Sequence, residues 1–188
     1  LVSTSAIGLV GAGMVGARLV EKLVAAGRAV VAHDLDGARL AAAAALGAQP
    51  VASPREVAER CETVLLSLPG SHAVDAAMRG GEGILAAAGA RHFILDTGTS
   101  RPRTAVEYAA ILGERGGHFV DTPLTYRGPG PIFLVGGTDE EFRRAEAILQ
   151  PVAYKVAHCG PVGAEQRMKL VNQFVLAARL AVYAEGAH

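Results

Sequence analysis

The sequence predicts an α/β fold: a doubly wound, mostly parallel sheet with a mixed C-terminal extension and a long terminal helix. Three observations carry this expectation. Short apolar runs alternate with helical patterns through roughly the first 125 residues, which implies right-handed crossovers between parallel strands. A glycine-rich turn, Gly11-Ala12-Gly13-Met14-Val15-Gly16, joins the first apolar run to the first helix. From Pro161 onward one helical pattern runs to the end of the sequence.

The elements follow in order. Ala6, Ile7, Leu9 and Val10 suit a buried strand, and Val15, Leu19, Leu23 and Val24 recur at helical spacing behind it. Gly27 ends that helix, and Arg28–Ala32 is the second strand, closing at His33-Asp34. Asp36 caps a helix over Gly37–Leu46, Gln49–Ala52 is a short strand, and Ser53-Pro54 opens a helix to Arg60. Thr63–Leu68 is a strand stopped by Pro69-Gly70. Two short helices, Ser71–Met78 and Gly83–Ala88, lead to the strand His92–Asp96. Pro102 opens a helix to about Arg115, and His118–Thr122 is the next strand. Beyond it, Ile132–Val135 and Val152–His158 read as strands and Asp139–Leu149 as a helix.

Composition narrows the function. At 188 residues the chain fits one good-sized domain, or one domain and a piece of another. It is 51% hydrophobic with a mean hydropathy of +0.29 and has no uninterrupted apolar run of membrane-spanning length. A soluble protein with a large core is expected, with no membrane partner. The first nine residues lack the pattern of a signal peptide and read as the first strand and its approach. Lys+Arg and Asp+Glu balance at 18 each without a basic patch, so no nucleic-acid partner is expected. Cys61 and Cys159 form no C-x-x-C pair; two free thiols in a reducing cytoplasm, and no metal, are the expectation.

The glycine turn carries the first piece of chemistry. In a strand–turn–helix setting, Gly11 makes the tight turn and Gly13 lets backbone approach a pyrophosphate. Gly16 lets helix pack on strand, and the N–H groups around Met14 and Val15 face the phosphates. The spacing alone is weak, because 23 glycines in 188 residues should produce it by chance about 0.3 times. The second strand adds weight: it ends at Asp34, some twenty residues on, where a carboxylate accepts the ribose hydroxyls of an adenosine. A dinucleotide site of the Rossmann type follows. Asp34 would repel a 2′-phosphate, so NAD is expected rather than NADP, with Arg39 the nearby cation that could favour NADP.

Three further stretches fall at strand ends on the same sheet edge: Ser67-Leu68-Pro69-Gly70-Ser71, Asp96-Thr97-Gly98-Thr99-Ser100 and Asp121-Thr122-Pro123-Leu124-Thr125. Each alone reads as a capping loop; together, beside a dinucleotide turn, they read as a site. A fourth is Lys169-Leu170-Val171-Asn172, where i and i+3 place an ammonium and a carboxamide on one helix face. The surrounding helix is apolar nearly all round, which predicts burial. A partly desolvated lysine has a lowered pKa and suits proton exchange with a carbinol oxygen.

Together these stretches resemble the β-hydroxyacid dehydrogenase family, which includes 3-hydroxyisobutyrate dehydrogenase and 6-phosphogluconate dehydrogenase. The residues that carry the resemblance are the glycine turn, Leu68-Pro69, Asp96–Pro102, Phe119-Val120-Asp121-Thr122-Pro123 and, most specifically, Gly160-Pro161-Val162-Gly163-Ala164-Glu165-Gln166-Arg167-Met168-Lys169-Leu170-Val171-Asn172. The resemblance implies NAD-dependent hydride transfer to or from a small β-hydroxyacid. It makes Lys169 the catalytic acid/base, has Asn172 orient substrate and lysine, and puts Leu68, Pro69 and Thr99 on the nicotinamide side.

Two departures accompany it. Where the family has Asp-Ala-Pro-Val-Ser-Gly-Gly, this sequence has Asp121-Thr122-Pro123-Leu124-Thr125-Tyr126-Arg127. The substrate loop is therefore rebuilt, with Thr125, Tyr126 and Arg127 as its candidate contacts and Arg127 able to hold a carboxylate. The family also continues past the long helix into an all-helical domain, which is expected to be absent here. Residues 1–160 then form the dinucleotide-binding domain and 161–188 the start of the helical one. Two other readings stand beside the dehydrogenase: an imine reductase, against which the retained lysine argues, and a non-catalytic dinucleotide-binding module. The apolar terminal helix predicts a homodimer or higher homo-oligomer.

Overall fold

The computed structural model describes residues 6–127 and 129–187, the side chain of Arg127 excepted. The expected approach to the first strand, residues 1–5, lies outside them, as does His188.

The first half is a regular strand–helix alternation: β1 (Ile7–Val10), α1 (Met14–Ala25), β2 (Val30–His33), α2 (Gly37–Ala45), β3 (Gln49–Pro50), α3 (Pro54–Arg60), β4 (Thr63–Leu66), α4 (Ser71–Met78), β5 (Phe93–Asp96), α5 (Pro102–Gly113) and β6 (His118–Asp121). The expected helix at Gly83–Ala88 is a single 3-10 turn, Ile84–Ala86. Strands run in the order β3-β2-β1-β4-β5-β6, all parallel. The order reverses between β1 and β4, and the crevice outside the carboxyl ends of the strands at such a point is where ligands bind.

Strand alternation sends side chains to two apolar layers. Leu19, Val20 and Leu23 of α1 cover Ile7 and Leu9 on one face. Val57 of α3, Met78 of α4 and Tyr108 of α5 cover Val10, Val64 and Ile94 on the other. Three helices begin at side-chain caps that the sequence supplies. The Asp36 carboxylate accepts from Ala38 N and Arg39 N, Ser53 Oγ accepts from Glu56 N, and Thr138 makes a capping box with Glu141.

The C-terminal extension is mixed, as expected, but holds one more strand than the pattern predicts. Leu124–Arg127 forms β7, antiparallel to β8 (Gly130–Gly136) with Thr125 opposite Ile132 and Tyr126 opposite Pro131. The rebuilt loop is thus one arm of a hairpin. Thr125 and Tyr126 are β-formers, and Ile132-Phe133 gives the segment an antiparallel partner within hairpin reach. β8 also touches β6 at Asp121↔Gly136 and pairs on its other edge with β9 (Lys155–Gly160), parallel. α6 (Asp139–Leu149) covers this end.

The terminal helix α7 spans Ala164–Gly186 without a break, but it is not buried as its composition predicts. Only Glu165, Gln166 and Lys169 are buried, and every residue from Leu170 to Ala187 is exposed, Phe174 at 75% and Val182 at 70%. The helix meets the sheet through its first turns and then leaves it. Leu176 still borders the crevice at the strand ends, and at 1.5 Å per residue roughly 15 Å of helix, from Ala177 to Gly186, lies beyond it. No described helix is long and apolar enough to cross a membrane.

Candidate functional site

A cleft of about 1260 Å³ lies along the carboxyl ends of β1, β2, β4 and β5 and reaches the start of α7. It brings Gly11, Gly13, Met14, Val15 and Asp34 together with Leu68, Pro69 and Thr99, and then with Thr125, Tyr126, Lys169 and Asn172. Of the expected residues, Gly16 packs beneath the turn and does not line it, and the Arg127 side chain lies outside the described residues.

Packing excludes a side chain at two of the three glycines of the turn. Gly11 has φ +97°, and a Cβ there would strike the Ser67 carbonyl oxygen of the neighbouring strand end. On Gly16 it would strike the Gly11 carbonyl oxygen, so α1 could not seat against the turn. Gly13 differs: no atom of the protein lies closer than the Arg39 guanidinium, 3.9 Å from the Cβ position. Fold packing does not require that glycine, and the space it leaves opens on the cleft. α1 has no side-chain cap, so its first N–H groups face that space.

Asp34 closes the cleft at the end of β2. Its Oδ2 accepts from Ala12 N at 2.6 Å and its Oδ1 from Asp36 N at 2.8 Å, which fixes the carboxylate at the rim of the turn. Beside it, His33 is buried, and its Nδ1 contacts the Val51 carbonyl oxygen at 3.2 Å. In the neutral ring that bond places the proton on Nδ1, leaving Nε2 an acceptor that faces no protein donor. A gap at Gly13, an uncapped helix N-terminus, a fixed carboxylate and an orphaned buried acceptor in one cleft fit a dinucleotide.

The other end is a buried polar network that joins β5, β6 and α7. Asp96 Oδ1 accepts from Gly98 N at 3.0 Å and Oδ2 from Ser100 Oγ at 2.8 Å. Burial pushes this carboxyl up to about 6 against those two bonds. Asp121 caps α7: Oδ1 accepts from Gly163 N at 2.9 Å and Oδ2 from Gln166 N at 3.2 Å. The Gln166 side chain reaches back, its Nε2 donating to Gly98 O at 3.1 Å and its Oε1 accepting from Ser100 N at 2.9 Å. Glu165 is fully buried, and burial first, then the Asp121 charge, raises its pKa against the Cys159 thiol beside it.

Lys169 sits one turn beyond Gln166, only 8% exposed, and lines the cleft. It makes no hydrogen bond or ion pair with a described residue, and desolvation holds its ammonium below the ordinary lysine range. Asn172 lies a turn further on, exposed and on the same cleft. The facing wall is β7. Thr125 and Tyr126 line the cleft, and the Tyr126 ring lies 5.9 Å from the Arg18 guanidinium of α1.

The sequence reading missed Gln166 and His33. Gln166 stands three residues before Lys169 inside the Gly160–Asn172 stretch, and that helical spacing, the same that pairs Lys169 with Asn172, is the signal that could have found it. His33 carried none, because a histidine ending a strand reads equally well as core.

The family described as the NAD binding domain of 6-phosphogluconate dehydrogenase matches residues 6–160. The chain is 30% identical over 184 residues to 2-(hydroxymethyl)glutarate dehydrogenase of Eubacterium barkeri, covering 95% of this chain and 61% of that protein. Against the mitochondrial 3-hydroxyisobutyrate dehydrogenase of Bos taurus it is 29% identical, covering 98% of this chain and 56% of that one. Among solved structures, the 3-hydroxyisobutyrate dehydrogenase of Mycobacterium tuberculosis with L-serine superposes with a TM-score of 0.88 at 30% identity, over 98% of this chain and 64% of that one. An imine reductase variant from Myxococcus stipitatus in complex with NAD+ shares the fold, with a TM-score of 0.86 at 18% identity. The chain thus spans about three fifths of the length of the curated relatives it matches.

Proposed function

The chain belongs to the NAD-binding-domain family of 6-phosphogluconate dehydrogenase, and from that premise we propose that it transfers hydride between NAD and the carbinol carbon of a small β-hydroxyacid. One observation carries the reading: a buried, unpaired lysine opens on the same cleft as the dinucleotide turn.

Bound NAD supplies the hydride acceptor. The chain's own residues do the rest. The N–H groups of Met14 and Val15 and the Asp34 carboxylate hold the cofactor, and Leu68, Pro69 and Thr99 form the wall on its nicotinamide side. Lys169 has its charged form disfavoured by burial, so its neutral amine takes the proton of the substrate hydroxyl and returns it in the reverse direction. Asn172, a turn away, orients the substrate oxygen against Nζ. Thr125, Tyr126 and Arg127 of β7 meet the remainder of the substrate.

The preference for NAD over NADP rests on Asp34 and on Arg39, whose guanidinium lies 3.4 Å from Asp36 rather than free. We take residues 1–160 as the dinucleotide-binding domain and α7 as the start of a helical unit. The bare apolar surface of α7 is read as an association surface for a second copy of the chain. Two free cysteines support a reducing, cytoplasmic setting.

A spectrophotometric screen of hydroxyacids, ketoacids and cyclic imines with NAD(H) tests the reading. Reduction of NAD with a hydroxyacid supports it. Turnover of imines alone would replace it with the reductase, and NADH binding without turnover of any class would leave a binding module.

A further inference from the structure

We propose that Gln166 is a positioning residue that sets the distance and register between Thr99 and Lys169. Its carboxamide is fully buried and makes a two-point contact with the loop beneath the cofactor, donating to Gly98 O and accepting from Ser100 N. Those two residues bracket Thr99, the loop residue that lines the cleft. Gln166 N is in turn held by Asp121 Oδ2. The side chain is thus gripped from its own backbone and grips the loop on both sides of Thr99.

The geometry makes a carboxamide specific at this position. The loop presents a carbonyl oxygen and, two residues on, an N–H, and one planar group must donate to the first while accepting from the second. Asp96 supports the same loop from beneath through Gly98 N and Ser100 Oγ, so the loop cannot follow the helix unless Gln166 pulls it. Lys169, three residues along α7, rides on the same helix face. A displacement of α7 relative to the loop moves Nζ relative to whatever lies on Thr99, and a misplacement of about 1 Å at a reacting atom costs on the order of 10²-fold in rate.

The proposal rests on Lys169 as the proton-transfer group, and two variants with two readouts separate the fates of the two claims. Gln166→Met keeps the volume and loses both hydrogen bonds. On a hydroxyacid that the wild-type chain oxidises, it should lower kcat at least about tenfold, with KM and the NADH dissociation constant within about twofold. Gln166→Glu keeps length and planarity, and its protonated acid can still donate to Gly98 O. Its kcat should approach wild type at low pH and fall away as the new carboxyl ionises. The neighbouring Asp96, Asp121 and Glu165 carboxyls push that ionisation upward and Lys169 opposes them. A side chain that only fills space would give no such slope.

If no hydroxyacid is turned over, the functional reading fails and Gln166 is judged on Lys169 itself. The sequence has three lysines, Lys22, Lys155 and Lys169, and competitive acylation read by mass spectrometry titrates each in the folded chain. In Gln166→Met the apparent pKa of Lys169 should move back toward the ordinary lysine range, with Lys22 and Lys155 unmoved. Unchanged kcat and pH profile in both variants would overturn the proposal. So would a wild-type Lys169 titration in an inactive chain.

Discussion

The Asp34 carboxylate accepts a hydrogen bond from the Ala12 backbone N–H at 2.6 Å, tying the end of β2 to the glycine turn across 22 residues. The bond fixes the carboxylate at the rim of the glycine turn and leaves each of its oxygens a second lone pair, which in the proposed reading a ribose hydroxyl takes. A 2′-phosphate would meet that charge at contact distance, with Arg39 drawn toward Asp36. NADH should therefore bind at least about tenfold more tightly than NADPH in low salt, and Asp34→Ser should narrow the gap. Fluorescence titration of both cofactors measures it, and equal or tighter NADPH binding would contradict the assignment.

Gly13 and Gly16 should respond oppositely to the same methyl group. Gly16→Ala drives a Cβ into the Gly11 carbonyl oxygen and should destabilise the fold outright. Gly13→Ala meets only open space and should shift the melting temperature by no more than a few degrees, the scale of losing a glycine at a helix N-cap. It should still weaken NADH binding about tenfold or more, because the space it fills is the one the pyrophosphate needs. Melting curves with and without NADH separate the two effects.

Fold and site were legible to different degrees. The parallel half could be read in the sequence because each strand is an apolar run and the helices between them carry local start signals, as at Asp36 and Ser53-Pro54. The glycine turn, Asp34 and Lys169 were legible for the same reason: their chemistry depends on local spacing. β7 was not, because Leu124–Arg127 becomes a strand only when β8 lies beside it. The exposure of α7 was legible in part: its apolar circumference predicts an uncovered association face, but not that the sheet covers only Glu165, Gln166 and Lys169. Gln166 needed the third dimension, its partners Gly98 and Ser100 lying more than sixty residues away in sequence.

Asp96 should give the chain an inverted pH response. Its folded pKa of about 6 exceeds the ordinary value of 3.8, so between these values the native state holds a proton that the unfolded state releases. Stability from this group therefore falls as pH rises through the window, by up to about 3 kcal/mol. Asp96→Asn removes the titration. Relative to wild type, its unfolding free energy in urea should improve by that order between pH 4 and pH 7; a constant difference across the range would mean that Asp96 does not titrate there.

The bare helix α7 should make the chain self-associate. Light scattering on the purified protein is expected to give a dimer or larger species, and replacing Phe174 and Val182, exposed at 75% and 70%, with Glu should shift it toward monomer. A monodisperse wild-type monomer at micromolar concentration would remove the association surface from the account.

Proton transfer by Lys169 is the central claim, and one comparison tests it most directly: turnover of Lys169→Met against wild type on a hydroxyacid that the wild-type chain oxidises, with NADH affinity measured in the same preparations. The account predicts a loss of about 10²–10⁴-fold in kcat, the usual worth of a positioned acid/base, with NADH affinity nearly intact because the proposed cofactor contacts lie in the glycine turn and at Asp34. Wild-type turnover from Lys169→Met would contradict it.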